Sequence, residues 1–552
     1  MTAETIIVNG AVRTMDPAHP VAEAVAISDG CILAIGTTAE IEAMATGGTA
    51  RIDAGGGSVL PGFIESHAHL FIGGAELENL QLDNCADAKL MGEMIRDFAA
   101  AHPDRPMVVA QAPDYGVFGD RAPRLLLDEI LKDRPLALVA HDHHTVWANT
   151  AALEAAGDLH GRATSPGHEV VMGDDGLATG ALLEPEAFGP VMRLSGQERT
   201  TLGLRTGGEP DRPPTDAERE SDLAHLVRGL AHAARLGVTS IVNMDGNVYT
   251  LELLEELKRR GELIARVRVP FHFVPEMEAG DLDTACEMAE RWNDEWLSSG
   301  FVKMFMDGVI DSRTAFMKND YPGQSGYRSH GRFEADRFAD LATRINAMGL
   351  SIAVHAIGDA AISRTIDAYA ASGAANGAHG MRNRIEHLEL VAPEDFARIG
   401  DLGITASIQP PHAPGTAGLP LQPTLDNIGR ARWADAFAWQ RLVEAGAPIA
   451  LGSDWPVADL NPLVGLHAAT TRDAWADDVP DHRFTLDAAL SGCTIGGAWA
   501  EATDDIKGSL TAGKLADLTI LDRDIGRIPN AAIPDAEVAA TIVGGKTVYR
   551  RL

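Results

Sequence analysis

Residues Leu60-Pro61-Gly62-Phe63-Ile64-Glu65-Ser66-His67-Ala68-His69 form an apolar run that ends in two histidines spaced i, i+2. Side chains alternate faces along a strand, so His67 and His69 point the same way from its end. Two imidazoles on one face of a strand terminus are able to grip a single divalent metal. The pair alone is weak evidence for a metal, so its meaning depends on what the rest of the chain sets beside it.

Downstream, short apolar runs alternate with helix-like stretches. The runs fall at 238–242, 267–273, 301–305, 351–355, 384–387, 405–408 and 448–454, and segments such as 222–236 and 333–348 separate several of them. This rhythm implies parallel β/α units, and with the strand before His67 the count is eight, the number that closes a TIM barrel. Residues 70 to about 220 break the rhythm and include the Gly/Pro-rich Gly207-Gly208-Glu209-Pro210-Asp211-Arg212-Pro213-Pro214, so they read as an insertion after the first strand, beside the barrel mouth. Both chain ends are rich in short β-like runs, with Asn9-Gly10 and Asp29-Gly30 as hairpin signals. The expectation is an α/β chain: a (β/α)8 TIM barrel over 59–504 and a composite β-sandwich built from 1–58 and 505–552.

The chain has 552 residues, 45% hydrophobic and 23% charged, which is ordinary for a soluble globular protein. A formal net charge of -33 argues against nucleic acid and anionic membranes, whose phosphates would be repelled. The start, Met1-Thr2-Ala3-Glu4-Thr5, lacks a basic region and an apolar core, and no run of about 18 apolar residues occurs, so neither a signal peptide nor a membrane span is expected. Cys31, Cys85, Cys286 and Cys493 lack C-x-x-C spacing and read as reduced residues of a cytoplasmic protein.

Active sites of such barrels lie at the C-terminal ends of the strands. There the chain carries His67 and His69 after the first strand, Lys303 in the fourth, His355 ending the fifth, His387 ending the sixth and Asp454 ending the eighth. Four histidines, a lysine and an aspartate are what a two-metal site could use. A lysine in an apolar strand has a lowered pKa, and as a neutral amine it can take up CO2 to form a carbamate that bridges two metals. The ordinary alternatives are a lysine that reaches solvent or pairs with Asp307. His355 or His387 alone would be a hydrogen-bonded core histidine, and Asp454 alone an N-cap. His19, His102, His160, His168, His330, His379 and His482 lie away from the strand ends and read as solvated.

Taken together, these residues resemble the amidohydrolase superfamily, in particular its amidohydrolase-3 branch of YtcJ-like proteins and N-substituted formamide deformylases. The resemblance rests on Leu60 to Leu70, Val302-Lys303-Met304-Phe305-Met306-Asp307-Gly308, His355-Ala356-Ile357-Gly358-Asp359, Ile385-Glu386-His387, Gly452-Ser453-Asp454-Trp455-Pro456 and the tail Gly508 to Leu518. It implies zinc, two ions per chain, with His67, His69 and Asp454 on the first, His355 and His387 on the second, and N6-carboxylated Lys303 as the bridge. It also implies hydrolysis of a non-peptide, amide-type C–N bond by a metal-activated hydroxide, with Asp454 as proton shuttle. The segment Asp142-His143-His144-Thr145-Val146-Trp147-Ala148-Asn149 is similar to a His-x-x-Trp-x-Asn stretch of the branch and makes His144 a candidate substrate contact. Trp455, Arg313, Tyr115 and Phe118 are weaker pocket candidates. The expected partner is a small-molecule substrate, and family members are often dimers or larger.

Other readings stay open at this level. A lactonase or cyclic-amide hydrolase would use the same residues, a deaminase of this barrel usually uses one metal without a bridging lysine, and a noncatalytic scaffold has no need of all six ligands.

Overall fold

A computed structural model describes the chain except for residues 1, 83–84, 112, 114, 141–142, 144, 165–167, 378–379 and 552, and for the side chain of Tyr115. The chain is α/β and falls into two compact units, one comprising 1–70, 203–209 and 230–552 and the other 71–202 and 210–229. The break in the β/α rhythm after His69 thus coincides with the start of the second unit, which runs on to 229 and leaves 203–209 with the first.

The first unit is organised around parallel strands. They are β1 (Phe63–Ala68), β2 (Val238–Asn243), β3 (Arg266–Arg268), β4 (Phe271–His272), β5 (Phe301–Phe305), β6 (Ser351–Ala356), β7 (Arg384–His387), β8 (Thr405–Ile408) and β9 (Ile449–Leu451). Pairing is parallel from β1 to β2 to β3, and again from β4 through β5, β6, β7 and β8 to β9. β3 and β4 are two halves of one run, parted at Pro270, which has no N–H to give a ladder. Beyond β9 the chain meets β1: Asp454 N donates to His67 O (2.7 Å) and His69 N to Trp455 O (2.7 Å). Helices cross between strands, including Val248–Arg260, Ala335–Ala347 and Asp359–Asn376. β1, β2 and β7 are buried along their whole length, as strands covered on both faces must be.

Register decides which side chains share a layer. Lys303, Ala353, Arg384 and Thr405 stand in one row across β5 to β8, and Phe305, His355, Glu386 and Ser407 in the next. Partners in register in a parallel sheet present side chains to the same face. Two layers of one face thus run across four strands.

The termini form two further sheets. One has the order Cys31–Gly36, Ala24–Ser28, Thr5–Val8, Ala50–Asp53. The other joins C-terminal Lys546–Arg550, Val538–Val543 and Leu518–Leu521 to N-terminal Ser58–Pro61, Ala11–Arg13 and Val21–Ala22. Ile7, Val25, Ile27 and Ile32 of one sheet share an apolar cluster with Val59, Leu518, Ile520 and Ile542 of the other. Asp29 and Gly30 both have positive φ (51° and 72°) and close a hairpin, as their dipeptide predicts. Asn9-Gly10 does not. Only Asn9 has positive φ, and the strands on either side belong to different sheets; Gly10 serves close approach instead, since a Cβ there would stand 2.6 Å from Val59 Cγ2.

Among the described residues no helix is long and apolar enough to cross a membrane. The four cysteines are free.

Arg266 of β3 holds Asp517 in a two-point contact, Nε to Oδ2 at 2.7 Å and Nη2 to Oδ1 at 3.1 Å, with both side chains buried. Asp517 also accepts from Gly544 N at 2.8 Å. Asp517→Ala leaves a buried guanidinium without its partner and is expected to destabilise the fold by about 3–5 kcal/mol. Urea unfolding followed by circular dichroism checks this; an unchanged midpoint would show that the pair contributes nothing.

Candidate functional site

His67 and His69 leave the end of β1, and Asp454 arrives beside them from β9. One ligand atom from each lies within 4.8 Å of the other two, and all three residues are buried. His69 Nε2 is 3.0 Å and His67 Nε2 3.3 Å from Asp454 Oδ1. Asp454 Oδ1 nevertheless makes no properly angled hydrogen bond. The opposite ring nitrogens face other carboxylates: His67 Nδ1 is 2.6 Å from Glu386 Oε2 and His69 Nδ1 is 3.3 Å from Asp245 Oδ1. A carboxylate behind each imidazole fixes its tautomer with Nε2 forward, the arrangement of metal-ligating histidines.

Glu386 is itself anchored. Arg384 Nε and Nη2 donate to its two oxygens (2.5 and 3.0 Å), and Nη2 also reaches Ser66 O and Ser407 Oγ (2.6 Å each). Burial opposes ionisation of Glu386, but Arg384 and His67 hold its carboxyl well below the usual range. Asp454 follows the same pattern, with burial overcome by His67 and His69. Burial alone would lower His69, yet Asp245 and Asp454 raise it to about 9, so without a cation this imidazole carries a proton that a metal would displace.

Lys303 is fully buried, and among the described residues its Nζ has no hydrogen-bond partner. Burial pushes it down to about 8, with Glu386 and Asp454 opposing. Neither ordinary alternative fits, since the amine does not reach solvent and Asp307 is otherwise engaged. Asp307 accepts from Phe316 N, Ile357 N and Gly358 N at 2.9, 3.0 and 2.9 Å. The Lys303 amine lies 4.8 Å from the centre of the Phe305 ring, which stacks on His355 (4.7 Å).

His355 and His387 rings are 4.3 Å apart, and His387 is 5.0 Å from His67, so the candidate ligands gather in one place. His355 Nε2 faces Gly308 O at 3.1 Å, whereas His387 Nδ1 has no partner. Burial lowers both, His355 to about 3 with Lys303 assisting, so each is a neutral imidazole with a free lone pair. His387, Leu388 and Asp454 adopt left-handed backbone (φ 75°, 52° and 60°). Such non-glycine residues cost on the order of 1–3 kcal/mol each and concentrate at functional sites.

The weaker candidates are less engaged. Trp455 is buried and lies against the His232 ring at a tilt of 32° (5.6 Å). Arg313 Nε donates to Asn427 Oδ1 at 2.7 Å. Phe118 packs on Trp147 in the second unit (5.0 Å). Tyr115 begins a short 3-10 helix, Tyr115–Phe118. His144 and His379 lie outside the described residues. His482 is not solvated as expected but buried beside Trp439, Arg472 and Phe484, with Nε2 at 3.2 Å from Ala434 O.

Sequence reading missed Asp245, Glu386, Glu389 and His412. Glu386 was in view beside His387, and strand alternation alone would have turned it to the face of Ser407 and His355. Asp245 stands two residues beyond β2. His387, Glu389 and His412 offer a second group of ligand-type atoms within 4.8 Å of one another.

The sequence model of the Amidohydrolase family matches residues 50–549. Protein LONG AFTER FAR-RED 3 of Arabidopsis thaliana is 29% identical over 100% of this chain and 92% of its own length. N-substituted formamide deformylase of Arthrobacter pascens is 27% identical over 99% of this chain and 98% of its own. A solved structure of an uncharacterized metal-dependent hydrolase from Pyrococcus horikoshii superposes with a TM-score of 0.73 over 95% of this chain and 99% of that one, at 21% identity.

An unpaired buried lysine makes a pH prediction. In chelator-treated protein, Lys303→Met is expected to stabilise the fold by about 1–3 kcal/mol at pH 7. The folded pKa of about 8 lies below the ordinary 10.5, so the cost is full below pH 8 and is relieved as pH rises from 8 to 10.5. The variant's advantage therefore shrinks across that window in melting curves; an advantage independent of pH would contradict a buried, ionisable Lys303.

Proposed function

The chain belongs to the amidohydrolase family and is a hydrolase of C–N bonds, and from that premise we propose that it cleaves amide-type, non-peptide bonds of small molecules with the help of bound zinc. The parallel strands are read as a (β/α)8 barrel over 59–504 with a composite β-sandwich from 1–58 and 505–552. The observation that carries the functional reading is the convergence of His67 Nε2, His69 Nε2 and Asp454 Oδ1, all buried, with Asp454 Oδ1 unsatisfied. That donor set suits a divalent ion. His355, His387 and a carboxylated Lys303 would complete a second position, supported by the unpartnered Lys303 Nζ and His387 Nδ1. Zinc held there lowers the pKa of water and polarises a carbonyl.

The chain's own groups do the rest. Arg384 holds Glu386, Glu386 holds His67 Nδ1–H so that its Nε2 stays forward, and Asp245 stands 3.3 Å behind His69 Nδ1. Asp454, ionised at neutral pH, takes the proton of the attacking water at a carboxylate oxygen and returns it to the leaving nitrogen. Burial of the site keeps bulk water from screening these charges.

The formamide deformylase relative makes N-substituted formamides the first substrates to try. Elemental mass spectrometry of chelator-free protein is expected to find two zinc ions per chain. Asp454→Asn is expected to abolish formamide hydrolysis in a chain that still folds, and surviving turnover would remove the proton-shuttle role. Glu386→Gln is expected to weaken zinc binding by about 10–100-fold, read by competition with a chromogenic chelator.

A further inference from the structure

Two polar side chains just past β8 have no role in this scheme. Gln409 is fully buried, yet among the described residues neither its Nε2 nor its Oε1 has a hydrogen-bond partner. A buried primary amide offers two donors and an acceptor, and leaving both ends unpaired is unfavourable enough to call for an explanation. Its place in the fold supplies one. Ser407 stands in the layer of Phe305, His355 and Glu386 and accepts from Arg384, so it faces the site. Gln409, two residues further, presents its side chain to the same face, one step closer to the strand ends that carry His387 and Asp454.

His412 returns to the same place. A 3-10 turn, Pro410–His412, folds back so that His412 N donates to Gln409 O at 3.0 Å. The ring lies nearly parallel to that of His387 (6.0 Å, 14°). Its Nδ1 is 3.9 Å from Glu389 Oε1, and its Nε2 is buried without a partner. Glu389 is the acidic neighbour of Nδ1, and Nε2 has no hydrogen-bond partner among the described residues.

We propose that Gln409, with His412 beside it, recognises a carboxamide group of the substrate, pairing with its carbonyl and its N–H, and so selects amides over esters and lactones of the same shape. This rests on the hydrolase reading and narrows its substrate class. The Gln409 amide is complementary to an amide in its cis form, whose carbonyl and N–H face the same side: Nε2–H donates to the carbonyl, and Oε1 accepts from the N–H. An ester offers no N–H and leaves Oε1 buried and unpaired. Sites built this way discriminate strongly, because the unmatched group stays desolvated.

The test compares N-benzylformamide with benzyl formate on full-length, zinc-loaded protein. In Gln409→Leu the ratio of kcat/KM for formamide over formate is expected to fall about tenfold or more, because the formamide loses two contacts and the formate one. His412→Gln, at a partly exposed position, should shift the ratio the same way and guards against misfolding of the first variant. An unchanged ratio in a folded, zinc-loaded Gln409→Leu chain overturns the proposal. Binding of both probes to Asp454→Asn protein, by ligand-observed NMR, separates recognition from turnover. A formamide preference in binding that vanishes with Gln409→Leu, where zinc-loaded wild type hydrolyses neither probe, keeps this inference and counts against the hydrolysis reading. Equal binding of the two probes, or binding of neither, ends this inference.

Discussion

Ionisable groups buried together must compensate one another, and the centre of this molecule is built on that constraint. A continuous series runs from Arg384 through Glu386 and His67 to Asp454, then through His69 to Asp245. Ionisation of Glu386 and of Asp454 is opposed by burial and rescued by cationic and hydrogen-bonding neighbours. Among the described residues the series is incomplete where Lys303 Nζ and His387 Nδ1 have no hydrogen-bond partner.

The sheet is what brings these residues into range. Parallel register fixes layers, and the layer holding Phe305, His355, Glu386 and Ser407 is shared by four strands that are far apart in sequence. Regular strand geometry would turn His387 away from the face of Glu386. The left-handed backbone at His387 and Leu388 breaks that alternation, and the turn is braced by Trp439 Nε1 donating to Leu388 O (3.2 Å) and Phe437 N to Glu389 O (2.5 Å). Local strain is thus held by tertiary hydrogen bonds, and what it gains is a ring set against His355 and His67.

Much of this was legible in the chain. The parallel strands stand where apolar runs of four to seven residues were read, since strands covered on both faces need little but apolar side chains. His67 and His69 were legible as a pair because strand alternation is a local rule. Asp245 and Glu389 were not, because a carboxylate behind an imidazole is defined by a neighbour in space, and acidic residues are common everywhere in a chain of net charge -33. The Asn9-Gly10 turn misled for a related reason: the dipeptide states which φ values are accessible, not which sheet the next strand joins.

The sequence by itself determined the β/α rhythm, the identity of the candidate ligands and the family to which the chain belongs, because periodicity and short motifs are properties of neighbouring residues. Only the tertiary structure decided that Lys303 has neither solvent nor Asp307 as a partner, that Glu386 and Asp245 stand behind the two histidines, and that Gln409 is buried with its hydrogen bonds unmade. Burial, register and satisfaction of polar atoms are set by residues hundreds of positions apart, and no local pattern encodes them.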